Sequence, residues 1–337
     1  HRTIWMLRSR CPAHRTIRLV HLLPEASMEG RFPMLNETPA RRQCLRLAAA
    51  CALVFLAPSA EAQFLGHNFP GDYGLKSATQ PPAGRYAGLL VPFYKTDTLK
   101  LERVELGGRT DDDLTVWGLA PLVYVVTDKT ILGGNYGFIA AVAFTNTSLE
   151  VPRLDVDQDQ FGFSDMYVVP FQLGWHGDRY DAIASYGFFA PTGRYEANAD
   201  DNLGLGMWSH EFAAGFTGYL DEARSWSVAT TAFYEIHTKK DGVDIRAGDW
   251  LILEGGVGKT FENASSVGLA YYAIWQTTDA SGADVPELLR GRRNRGFGLG
   301  PELQLLQGGL VVRALWEFGV RNNLEGFIAT ATLVIPF

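Results

Sequence analysis

Beyond residue 62 the chain carries His67, His176, His210 and His237, its best candidates for general-base or metal chemistry. Ser209 adjoins His210 and would supply a hydroxyl nucleophile next to a base. On a strand, however, neighbouring side chains leave opposite faces, so these two cannot work as a dyad. Glu235 and His237 stand two residues apart and share a face, yet no nucleophile accompanies them. His176 falls in a predicted turn, and His67 precedes the first predicted strand. The pattern predicts no catalytic residue, no metal ligand set and no cofactor.

Three other runs imitate ligand loops. Gly255-Gly256-Val257-Gly258-Lys259-Thr260 ends like a phosphate loop, but Leu253 stands where G-x-x-x-x-G-K-[ST] needs its first glycine. No helix start follows to hold a phosphate. Asp155-Val156-Asp157-Gln158-Asp159 has the acidic alternation of a calcium loop, while Gln160 and Met166 replace the turn glycine and the bidentate glutamate. Gly296-Phe297-Gly298-Leu299-Gly300 lacks the dinucleotide spacing and reads as a place where the interior needs room.

The elements that would carry these groups are strands. Phe327, Ala329, Ala331, Leu333, Ile335 and Phe337 alternate with smaller or polar residues up to the terminal aromatic. A terminal strand of this kind resembles the assembly signal of bacterial outer-membrane barrels, which makes Phe337 its key residue. Alternating segments are predicted at 85–94, 114–126, 131–147, 162–175, 180–190, 208–219, 226–237, 249–259, 265–277, 296–306, 310–320 and 326–337. Their connections are in turn short and long, as in a transmembrane antiparallel β-barrel with short periplasmic turns and long external loops. The expected fold is all-β, an up-and-down barrel of about 12 strands. Tyr124, Trp175 and Trp226 near the short turns, with Tyr94, Trp208 and Trp275 near the long loops, would form aromatic girdles. Thr127 to Thr130 reads as one of the tight turns.

Strand phase then names the lumen. Leu310, Val312, Ala314, Trp316 and Phe318 take the lipid face, which turns Arg313 and Glu317 inward. The same reasoning sends Glu211, Phe233, Glu235, Glu254, Tyr272 and Glu302 inward, as the expected lumen lining and substrate path. An arginine facing lipid at mid-membrane would cost about 2 to 4 kcal/mol, which constrains the register.

Composition fits export. Met34 opens a stretch with Arg41, Arg42 and Arg46, an apolar run from Leu47 to Ala57 and then Ala60-Glu61-Ala62. That order is a signal peptide over 34–62, with cleavage between Ala62 and Gln63. Residues 1–33 read as a disordered upstream extension from a mis-set start, 63–84 as a periplasmic or lumenal segment, and 85–337 as the barrel. Cys11, Cys44 and Cys51 all precede the cleavage site, so the remainder can form no disulfide. Nine arginines and four glutamates are lost with it, which leaves 21 basic against 33 acidic side chains and a net charge of −12. Such a surface argues against nucleic acid. Mean hydropathy is −0.03 and no 18-residue apolar run follows residue 62, which excludes helical spans.

Several longer motifs carry a resemblance. Gly66-His67-Asn68-Phe69-Pro70-Gly71-Asp72-Tyr73-Gly74 followed by Pro81-Pro82-Ala83-Gly84-Arg85-Tyr86 resembles the opening of the meta-pathway phenol-degradation family. Gly162-Phe163-Ser164-Asp165, Ala190-Pro191-Thr192-Gly193-Arg194-Tyr195 and Asn202-Leu203-Gly204 before Trp208 are similar to its middle section. The resemblance implies an outer-membrane transporter-like barrel encoded with aromatic-degradation pathways and admitting hydrophobic compounds, without defined catalytic residues. Expected partners are outer-membrane lipid and lipopolysaccharide, the barrel-assembly machinery and a small hydrophobic ligand, in a Gram-negative cell. A narrow general porin and an outer-membrane hydrolase with a rim site are the alternatives.

Overall fold

The computed structural model describes residues 66–101, 104–107, 113–151, 156–197, 199, 201–287 and 290–337. The expected upstream extension, signal peptide, Ala62–Gln63 junction and Asp155 lie outside the described residues.

The chain forms β1 (Gly84–Leu101), β2 (Val104–Gly107), β3 (Asp113–Ile131), β4 (Gly134–Ala141), β5 (Phe144–Val151), β6 (Val156–Phe163) and β7 (Met166–His176). It continues with β8 (Tyr180–Ala190), β9 (Ser209–Tyr219), β10 (Trp226–His237), β11 (Trp250–Thr260), β12 (Ser266–Gln276), β13 (Arg295–Leu305), β14 (Leu310–Arg321) and β15 (Asn323–Pro336). β4 and β5 both pair with β3 and form one stave kinked at residues 142–143, while β6 and β7 pair with β5 and β4 and form the next. β2 only extends β1 into a short ribbon. Because β1 pairs with both β3 and β15, the sheet closes into a 12-strand antiparallel barrel.

Closure leaves no mid-sheet edge, so every stave can stand in lipid with its backbone groups paired. The outer surface matches that solvent. Leu89, Val123, Phe212, Phe216, Val228, Leu269, Leu299, Leu303, Val312, Trp316, Phe318 and Ile335 are all exposed on it. A water-soluble protein of this size would not leave so broad an apolar surface uncovered.

Several boundaries differ from the sequence reading. β3 runs through Thr127 to Ile131, and the reversal falls at Leu132 and Gly133, with φ of 51° and 80°. A two-residue hairpin turn of this hand needs positive φ at both positions, and Gly133 takes one at no steric cost. The polar Thr-Asp-Lys-Thr run extends the strand past the belt instead. Within residues 148–161, expected as an external loop, 148–151 and 156–161 are instead paired strand in β5 and β6, where polar side chains serve because the pair continues the barrel beyond the apolar zone. Tyr94 and Tyr124 leave the girdle. Both point inward, Tyr94 OH to Glu317 Oε2 at 3.0 Å and Tyr124 OH to Gln172 Oε1. Trp208 and Trp226 remain on the outside, each a little under half exposed.

Candidate functional site

Residues 66–83 turn back into the barrel and descend through it as a plug. An irregular chain in that place must find partners for its own amides, and inward glutamates on the wall supply them. Glu235 accepts from His67 N at 2.7 Å and Asn68 N at 3.2 Å, Glu254 from Tyr73 N at 2.8 Å, and Glu302 from Leu75 N at 3.1 Å. Arg313 donates to the carbonyls of Gly71 and Asp72 at 3.2 and 2.8 Å and pairs with Glu302 at 2.5 Å. Farther down, Thr217 Oγ1 accepts from Ala78 N at 3.2 Å, and Asp181 accepts from Thr79 Oγ1 at 2.9 Å. Charged acceptors make the stronger backbone bonds, so this ladder fixes the plug's height and orientation.

The wall is shaped for it as well. Leu75 seats against Gly256, Gly258 and Gly268, and a Cβ at any of these would come within 2.9 Å of its side chain. The glycine run that imitates a phosphate loop is therefore a seat inside β11. Gly298 similarly makes room for the Tyr272 ring.

The eight residues expected along the lumen all lie on its side of the wall, most of them engaged with the plug. Phe233 packs on Tyr73 with ring centroids 4.8 Å apart. Tyr272 donates to Glu317, which also accepts from Gly326 N at 2.6 Å. Glu235, Glu254, Glu302 and Arg313 belong to the ladder. Glu211, holding Asn68 Nδ2 at 2.6 Å and Tyr167 OH at 2.5 Å, is the one member that also lines the open space.

That space is a cavity of about 460 Å³ between the plug and the β1–β3–β4 wall. Leu90, Pro92, Val116, Ala120, Leu122 and Ile139 give it an apolar side. Phe69, Tyr73, Tyr124, Tyr167 and Phe189 add aromatic faces, and His67, Asn68, Asp72, Asp165 and Glu211 form a polar end. Sequence reasoning missed the apolar side. Its signal was present in the small residues Gly118, Ala120, Ala141 and Ala143, whose short side chains leave the volume open.

His67 stands at the top of the plug. Its Nε2 lies 2.8 Å from Asp165 Oδ2 and its Nδ1 2.6 Å from Ser209 Oγ, which is also 2.7 Å from His237 Nδ1. The residue types are those of a Ser-His-Asp triad, but Ser209 has no exposed surface and its hydroxyl is held between two imidazoles. A nucleophile must reach a substrate carbonyl, which this one cannot do. His210 faces away and meets Tyr186 OH at 2.9 Å. Phe337 follows the last strand, its amide donating to Arg85 O at 3.0 Å and the residue 71% exposed.

A sequence profile described as "Putative MetA-pathway of phenol degradation" matches residues 105–332. The chain belongs to this family. Among solved structures it is similar to an outer membrane channel from Pseudomonas putida F1, at 16% identity and a TM-score of 0.65, over 80% of this chain and 100% of that one. The β domain of the Bordetella autotransporter BrkA is similar at 14% identity and a TM-score of 0.42, over 76% of this chain and 100% of that one. No curated protein matches the chain. The fold is that of the Gram-negative outer-membrane barrels, which agrees with the apolar outer belt.

Proposed function

We propose that this member of the phenol-degradation family is a passive outer-membrane conduit for small hydrophobic, chiefly aromatic, molecules. The observation that carries the reading is the cavity of about 460 Å³, large enough for a single-ring compound and lined mostly by apolar and aromatic side chains beside a polar end. An apolar guest gains by leaving water for that wall at roughly 25 cal/mol per Å² buried. The polar end gives a ring hydroxyl or amine something to meet. Glu211 is the member of the glutamate set in contact with the path, while the others hold the plug. The family description supports the same reading, as does the export signal that the order of residues 34–62 suggests. Outer-membrane lipid, lipopolysaccharide and the barrel-assembly machinery are the partners such a role requires.

Uptake of a labelled single-ring aromatic by a deletion strain, with and without the gene, tests the proposal. Entry of the aromatic should slow several-fold in the deletion, while entry of a sugar of similar size stays unchanged. Ala120→Trp, which fills the cavity from β3, should reproduce the deletion while the barrel still assembles. Equal aromatic uptake in all three strains would reject the conduit.

A further inference from the structure

The cluster at the top of the plug has more converging donors than its hydrogen bonds require. We infer that His67, Glu235 and His237 form a binding site for a borderline transition-metal dication of the zinc type, which would staple the plug to the barrel wall.

The geometry is that of a chelate. Glu235 and His237 stand at i and i+2 on β10 and face inward together, and His67 arrives from the plug. Glu235 Oε1 lies 3.8 Å from His67 Nδ1 and 3.6 Å from His237 Nδ1, and one donor atom from each of the three lies within 4.8 Å of the others. Donors about 2.0 to 2.2 Å from a common ion stand roughly 3.3 to 3.8 Å apart at tetrahedral to slightly wider angles. The carboxylate already stands at such distances, and the two imidazole nitrogens, within 4.8 Å of each other, need about an ångström of closure. Ser209 Oγ now sits between the two Nδ1 atoms. Serine has three staggered positions, so this hydroxyl can swing aside and leave the stronger donors to the ion.

Tautomers favour the same conclusion. Asp165 accepts backbone hydrogen bonds from Gly193 N at 2.8 Å and Leu205 N at 2.7 Å, which fixes it as a carboxylate facing His67. The proton of His67 is then held on Nε2, and Nδ1 presents a lone pair toward the cluster. A carboxylate behind a ligating imidazole is the usual outer partner of a metal-bound histidine.

Charge adds a reason for a cation. Glu235 stands directly opposite Glu211 across the β9–β10 ladder, both buried, and the ion pairs of Glu235 among the described residues are with His67 and His237 alone. Like carboxylates facing each other without a cation are costly, and a dication relieves them. Two imidazoles with one carboxylate select zinc, cobalt or nickel over calcium or magnesium, which prefer oxygen. The sequence hides the set because His67 lies 168 residues from Glu235.

The test is a titration of the tag-free, chelator-stripped full-length barrel with Co²⁺, folding being verified by heat-modifiable gel mobility. One equivalent should bind, produce visible d–d absorption and be displaced by Zn²⁺. His237→Gln and Glu235→Gln should abolish the absorption, Asp165→Asn should weaken binding by about 10–100-fold, and His176→Gln, far from the cluster, should change nothing. A folded wild-type barrel that takes up no stoichiometric Co²⁺, or a His237→Gln barrel that binds as well as wild type, would overturn the site. Aromatic uptake is scored separately, so either proposal can fail without the other.

Discussion

At the scale of single residues, charge inside this barrel is structural. Glu302 and Arg313 are buried partners across the β13–β14 hairpin, and each also holds the plug backbone. Removing one partner strands the other charge in a dry interior, so Arg313→Ala should cost about 3 to 5 kcal/mol. Denaturant-induced loss of heat-modifiable mobility would measure it, and a change below 1 kcal/mol, the size of a surface pair, would contradict the pairing. Lys240 offers a pH test outside the spanning strands. Burial lowers its pKa to about 8, partly countered by Asp165. Between that value and the ordinary lysine value near 10.4 the unfolded chain binds more protons than the folded one. Stability should therefore rise from pH 8 to pH 10, and Lys240→Gln should flatten the slope relative to wild type in thermal melts. An unchanged slope would show that this ammonium carries no burial penalty.

At the scale of elements, the plug and the wall are complementary surfaces that meet only in the fold. Glycines on β11 and β12 make the hollow that Leu75 occupies, and the glutamates of β10, β11 and β13 face its amides. The barrel's own ladder does not depend on either. Gly258→Leu should thus eject the plug while leaving a folded barrel, and planar-bilayer recordings should show a severalfold larger conductance than wild type. Conductance equal to wild type would mean that the plug finds another seat. Deleting Phe337 acts at the same scale: the last pairing, its amide to Arg85 O, is lost, and assembly into the membrane should slow, as pulse-chase of the heat-modifiable form would show.

For the whole molecule, the division of solvents decides the architecture. Apolar side chains face lipid, charged ones face a plugged lumen, and the cavity lies in between, off the axis and against the β1–β3–β4 wall. A twelve-strand barrel is wider than the eight-strand kind that side chains alone can fill. Here the plug takes up the surplus width and leaves a compartment the size of one small guest. Selectivity should accordingly follow guest volume. In the uptake assay, two-ring aromatics should enter several-fold more slowly than one-ring ones, and equal rates would point to a wider route than this cavity.

How far the sequence reached is visible in particular residues. Strand side chains alternate with a period of two, so Val312, Trp316 and Phe318 could be sent to lipid and Arg313 and Glu317 inward from order alone, and alternating connection lengths supplied the closed twelve-strand barrel. Neighbours along one strand were equally legible, which is why Ser209 and His210 could be separated. Contacts between distant segments were not. His67 read as a residue ahead of the barrel, in a segment open to either a periplasmic or a lumenal place, and nothing in its neighbours reveals that it meets Asp165, Ser209 and Glu235 there. The glycines of β11 looked like a ligand loop because a missing side chain has the same spelling whether it admits a phosphate or a leucine. Periodicity is a local property fixed by backbone geometry, whereas the plug, its glutamate ladder and the cavity beside it arise from residues as many as 259 positions apart, whose meeting only the closed barrel decides.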